Sequence, residues 1–246
     1  MNKQHGESFD GLKLIARELT QLIFPELKRP PNPANDPPTP ELVKWGATVY
    51  CFSWMRHLCA LLNGVVALMA SDNVPASRIV ARSVYELGAH MYYVKKHLTQ
   101  HVRILNWSAA WTFLTPIATG SRYMNKQIPA ESELFPIPAH ISKMINCFSE
   151  VMPANAQEDY SYLSEFSHPN VMAFLQHYEW SDPYTVKFVS SEVHGFLGAT
   201  TSAVINGLLA LDELLRLAGE QDVRSKLIGL LRTVAENAKS FDNEST

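Results

Sequence analysis

Between Ser77 and Val94 the chain reads SRIVARSVYELGAHMYYV, and its formal charges are Arg78, Arg82 and Glu86 alone. Wound at 3.6 residues per turn, this stretch and its continuation to His97 set Val80, Val84, Leu87, Met91 and Val94 on one face. Arg78, Arg82, Tyr85, Glu86 and Tyr93 fall on the other. A helix with one side in water would carry far more charge, so the segment predicts a central helix packed on both sides. Arg82 and Glu86 then sit one turn apart in a mostly dry place, where charges persist only if paired or put to use.

Other segments share this poverty of charge. Thr39-Pro40-Glu41 is a helix start, with Thr39 as cap and Pro40 at the first helical position, and the helix it opens runs to about Ala70 with Arg56 as its one formal charge after Lys44. A third segment, His101 to Thr119, carries Trp107, Trp111 and Phe113, with a break expected before Pro116. A fourth, capped by Ser190 or Ser191 and ended by Gly219, has small residues (Gly195, Gly198, Ala199, Ser202, Ala203) that let helix axes approach closely. Amphipathic helices at 11–24, capped by Asp10, and at 220–240 have the pattern of outer elements. Short helices are expected at 139–151 and after Asn155. No segment alternates strongly enough to predict a strand, and no glycine-rich phosphate loop, GxSxG or HExxH occurs. The expected fold is all-α: a helical bundle of about four long core helices with shorter covering helices.

The chain of 246 residues shows no composition shift and is expected to form one helical domain over 1–246. Residues 25–40 hold seven prolines and read as a stiff connector after a peripheral N-terminal helix. Gly120 to Pro138 reads as a long loop and the most mobile internal segment. Hydrophobic residues at 46% and a net charge of -3 give no general electrostatic reason to bind a polyanion or an anionic membrane. Cys51, Cys59 and Cys147 are too few for a disulfide framework. The longest apolar run, Leu58 to Ala70, is broken by Asn63 and Gly64. A soluble, cytoplasmic protein with no membrane contact and no cofactor is expected.

Two stretches carry chemistry. One is Arg82 with Glu86, which fits a helix ion pair fastening two neighbours as well as it fits a working pair. The other is DYSYLSEFSHPN, residues 159–170, where Tyr160, Ser164 and His168 are spaced by four and would share a helix face. A polar cluster inside the bundle is expected to join Arg82, Glu86 and His168, because one carboxylate cannot engage all five guanidinium donors. The histidines lack metal-ligand spacing, so no metal site is expected.

Together, RSVYE at 82–86 and YSYLSEFSHP at 160–169 resemble a family of all-helical bacterial proteins of unknown function, with an Arg-x3-Glu helix and a downstream Tyr-x2-Leu-Ser-x3-His stretch. That family is similar in architecture to HEPN domains, helical proteins that include metal-independent ribonucleases and components of bacterial defence or toxin systems. The resemblance implies a ribonuclease role, and the same residues read by themselves offer a binding role. In a binding or sensing module, Arg78 and Arg82 would hold an anionic small molecule or partner carboxylate, with Tyr85, Tyr93 and Tyr160 as walls and Ser164 beside them. In a ribonuclease acting on RNA, His168 would serve as general acid or base, Arg82 would stabilise the phosphorane and Glu86 would orient Arg82. The Arg-to-His spacing of four to six residues that HEPN ribonucleases carry on one helix does not occur here, which favours the binding role. HEPN-like proteins commonly pair, so a homodimer is expected.

Overall fold

The computed structural model of the chain describes residues 3–31, 36–119, 140–152, 155–165, 178–182, 185–188 and 196–243. Its helices are α1 (Lys3–Thr20), α2 (Pro40–Ala70), α3 (Val74–Arg103), α4 (Trp107–Thr119), α5 (Ile141–Phe148), α6 (Ala156–Glu165), α7 (Phe196–Ala218) and α8 (Gln221–Asn243). The fold is all-α, with α2, α3 and α7 as long core helices and shorter ones around them. One small addition was not predicted. Before α7, where no strand is predicted, the chain forms an antiparallel hairpin, β1 (Tyr178–Asp182) and β2 (Thr185–Phe188), in which Tyr178 pairs with Phe188 and Trp180 with Val186.

Local chemistry explains the element ends. The Thr39 hydroxyl accepts from the Leu42 amide at 3.2 Å and Pro40 occupies the first turn of α2, so both ordinary start signals are used. Asn155 accepts from the Gln157 amide at the start of α6. Gly219 ends α7 at φ +87°, where its amide and that of Glu220 both reach the Leu215 carbonyl. Asp10 is not a cap: α1 begins at Lys3, and Asp10 pairs with Lys13 on its exposed side. The expected start at His101 also shifts. Nothing breaks the helical pattern there, so α3 runs on to Arg103; the chain turns at Leu105 (φ 55°), and Asn106 caps α4 by accepting from the Ala109 amide. The third long segment expected is therefore a short helix of 13 residues, with Pro116 inside it and no break before it.

From Val74 to Thr99 only Ile79 and Ser83 of α3 are exposed. This helix packs against α2, α4, α5, α6 and α7, its most extensive partner being α7. Packing on both sides explains its low charge. At the α3–α7 crossing the backbones nearly touch: a Cβ on Gly88 would lie 2.4 Å from the Ala203 carbonyl oxygen, and one on Gly207 would lie 3.0 Å from the Gly88 Cα. Helix α2 is long and apolar enough by composition to cross a membrane, but it lies here against α1, α3, α4 and α7, as the core helix of a bundle does. The outer helices α1 and α8 pack on each other and on α7, and the described prolines before Pro40 in the 25–40 stretch form no helix or strand.

Candidate functional site

Arg82 and Glu86 lie on the flank of α3 that receives α6. The Arg82 Nε donates to Glu86 Oε1 at 3.0 Å, the Arg82 Nη2 donates to the Tyr160 hydroxyl at 3.0 Å, and that hydroxyl donates to the same Glu86 Oε1 at 3.0 Å. The three groups form a closed ring of hydrogen bonds. The guanidinium carbon also lies 5.3 Å from the centre of the Tyr160 ring, within cation–π range. Burial alone would lower the Arg82 pKa, but its hydrogen bond to Tyr160 and the carboxylate of Glu86 outweigh it and raise the value. A neutral phenol thus completes what one carboxylate could not.

Deeper in the same seam, Tyr85 is fully buried. Its hydroxyl donates to the Ala156 carbonyl at 3.3 Å and to Asp159 at 3.4 Å, so it fastens the first turn of α6 to α3. Burial and the nearby Asp159 push the Tyr85 phenol pKa up, while burial also raises the Asp159 carboxyl against the lowering effect of the Tyr85 bond. Tyr85 packs edge-on against Phe148 of α5. One turn before Arg82, Arg78 is only 4% exposed and lies 5.7 Å from the Phe196 ring at the start of α7, its pKa lowered by burial. Two guanidiniums therefore follow one another along the α3 seam.

The structure brings Arg82, Glu86 and Tyr160 of the expected site together. The ring is not fully buried: the Arg82 and Glu86 side chains are 24% and 32% exposed. Tyr93 does not join Arg82. It lies on nearly the same side of α3 but about three turns further on, roughly 16 Å along the axis, where α4 replaces α6 and Tyr93 meets His97 and Phe113 instead. The Ser164 hydroxyl bonds back to the Tyr160 carbonyl at 2.7 Å. His168 lies outside the described residues, as does the expected mobile stretch Gly120 to Pro138. Among the described residues, no three His, Cys, Asp or Glu side chains converge on a point that could hold a metal ion.

Sequence reading missed a second polar pair. His90, on α3, shares a hydrogen bond of 2.9 Å between its Nδ1 and the Tyr50 hydroxyl of α2, with Trp54 packed against the imidazole at 4.6 Å. The partners are forty residues apart, so no local spacing marks them.

Partial exposure sets the strength of the Arg82 ring. Solvent weakens each charge interaction, so Arg82→Ala is expected to cost about 1 to 2 kcal/mol rather than the larger penalty of stranding a fully buried charge. Tyr160→Phe, which removes one donor and one acceptor, is expected to cost about 1 kcal/mol. Urea denaturation of both single variants and of the double variant checks this. The ring predicts a non-additive cycle, and strict additivity would show that the three groups do not act together.

No family model matches the chain, and no curated protein or solved structure is significantly similar to it. The resemblance of the RSVYE and YSYLSEFSHP stretches thus rests on those residues alone, and the part of it that stands is the all-helical fold.

Proposed function

We propose that the protein is a non-enzymatic binding or sensing module that takes an anionic group of a small molecule or partner at the α3–α6 seam. The observation that supports this reading is the Arg82–Tyr160–Glu86 ring. Its guanidinium is preorganised and yet partly open to water, so an incoming carboxylate or phosphate can compete with Glu86 for it. Arg78, next along the seam, is buried and adds positive potential to the same flank. Displacing Glu86 would also loosen Tyr160 and with it α6, which gives binding a mechanical consequence. Catalysis has less behind it, because the Arg-to-His spacing that HEPN ribonucleases carry on one helix does not occur in the chain.

Membership of a HEPN-like group, a role in a bacterial defence or toxin-type system, and metal-independent ribonuclease activity belong to the alternative. One experiment separates the two readings. The full chain is incubated with inorganic phosphate, citrate or a short single-stranded RNA in excess chelator, and both melting temperature and RNA length are followed. Binding without turnover raises the melting temperature in a saturable way, and Arg82→Ala abolishes the rise. RNA cleavage that persists in chelator and is lost in Arg82→Ala would establish the ribonuclease instead. Absence of any shift or cleavage removes both.

Assembly as a homodimer is part of the same proposal. The outward faces of α1 and α8 carry both signs of charge, Lys13 and Arg17 with Asp10 on one and Lys226 and Arg232 with Asp222 and Glu236 on the other, so a contact there is expected to be polar and to weaken in high salt. Sedimentation at micromolar concentration and two salt levels tests it, and a monomer at both excludes the dimer.

A further inference from the structure

On the side of α3 that meets α2 and α4 lies a cleft of about 300 Å³, lined by Val49, Tyr50, Ser53, Trp54, His57 and Ile117. Its walls are mostly flat rings. Tyr50 and Trp54 are 5.7 Å apart between centres, and the His57 ring stands edge-on to Trp54 at 5.7 Å. Behind them His90 holds the Tyr50 hydroxyl at 2.9 Å and packs on Trp54 at 4.6 Å, which fixes both aromatic side chains from the rear. Among the described residues, none that lines the cleft is an Asp, Glu, Lys or Arg.

We infer that this cleft is a binding site for a neutral, planar heteroaromatic ring, stacked on Trp54 and hydrogen-bonded at its edge by Ser53 and His57. Three features of the wall select that class. Aromatic faces favour a flat π-system over an aliphatic one of equal size, through offset or edge-on stacking. A charged ligand would lose its hydration with no counter-charge in the lining to replace it. Ser53 and His57 are exposed, placing a hydroxyl and an imidazole at the mouth, where a ring N–H or a ring nitrogen can reach them. His90 adds no charge from behind, since burial holds its pKa at about 4 and leaves it neutral in neutral solution. The site shares no residue with the α3–α6 seam, so either can fail without the other.

The test uses indole as a neutral ring, indole-3-acetate as its anionic counterpart and cyclohexanol as a non-aromatic control, titrated into the full chain and followed by saturation-transfer NMR. Saturable indole binding is expected, with at least about tenfold weaker binding of the other two compounds. Trp54→Ala should abolish it. Because Trp54 also packs on the core, His57→Ala is the second variant: its side chain is exposed, the fold should survive, and indole affinity should fall by about fivefold. The proposal is overturned if indole does not saturate, if the controls bind as well as indole, or if folded His57→Ala binds indole as tightly as the parent.

Discussion

Gly88→Val is expected to destabilise the protein by about 4 kcal/mol, the upper end of what a single core substitution does. The reason is the α3–α7 crossing. A Cβ at Gly88 meets a backbone oxygen at 2.4 Å, the carbonyl of Ala203, and it has Ala203 C at 3.0 Å and Ala203 Cβ at 3.3 Å on the same side. A flexible side chain could swing away from such a contact, but a carbonyl within a helix can retreat only if the helix moves. Gly88→Ala tests the same contact more gently. It gains about 1 kcal/mol of helix propensity and should still lose about 2 kcal/mol net. Gly229→Ala in α8 supplies the opposite sign: nothing lies within 4 Å of its added Cβ, so propensity alone acts and a gain of up to about 1 kcal/mol is expected. Urea titration of the three variants decides the matter. A Gly88→Ala variant as stable as the parent would mean that the helices do not approach so closely.

Acidification from pH 6.5 to pH 4 is expected to remove about 3 kcal/mol of stability through His90 alone. Burial lowers the pKa of this imidazole from 6.5 to about 4, so within that window the unfolded chain binds a proton that the folded chain refuses. A depressed pKa of this kind contributes stability that is complete above pH 6.5 and is lost as pH falls through the folded value. Below pH 4 the effect levels off. His90→Gln, which keeps an amide to meet the Tyr50 hydroxyl but cannot titrate, should flatten that part of the profile while other groups continue to act in both proteins. Parallel loss of stability in parent and variant between pH 6.5 and pH 4 would exclude His90 as the cause.

Much of the fold could be read from the chain because its signals are local. Thr39 and Pro40 mark the start of α2, Gly219 marks the end of α7, and the low charge of α3 announces a helix with neighbours all round. Within the site, Arg82 and Glu86 are one turn apart on a single helix, so their pairing was legible, and Tyr160 was one of three acceptors, with Ser164 and His168, that the row at 160–168 offered. A helical wheel carries angle but not height, which is why Tyr93 was grouped with Arg82 although a different neighbour covers it. The Tyr50–His90 pair depends on the register between α2 and α3, which no spacing within either helix records. A usable cue for the end of α3 was also present, since Asn106 before Trp107 is an ordinary cap; the long apolar run around it obscured it.

Because α3 finds its most extensive partner in α7, the centre of the molecule is completed by the last third of the chain. A growing polypeptide that has produced only α1 to α4 would hold α3 against α2 and α4 while Gly88 and Met91 waited with bare flanks for Gly207. Vectorial folding is therefore poorly suited to this topology: the early helices form a scaffold whose exposed seam invites association until α7 closes it. Closure over so long a separation also carries a large share of non-local contacts, which slows folding relative to a bundle of successive hairpins.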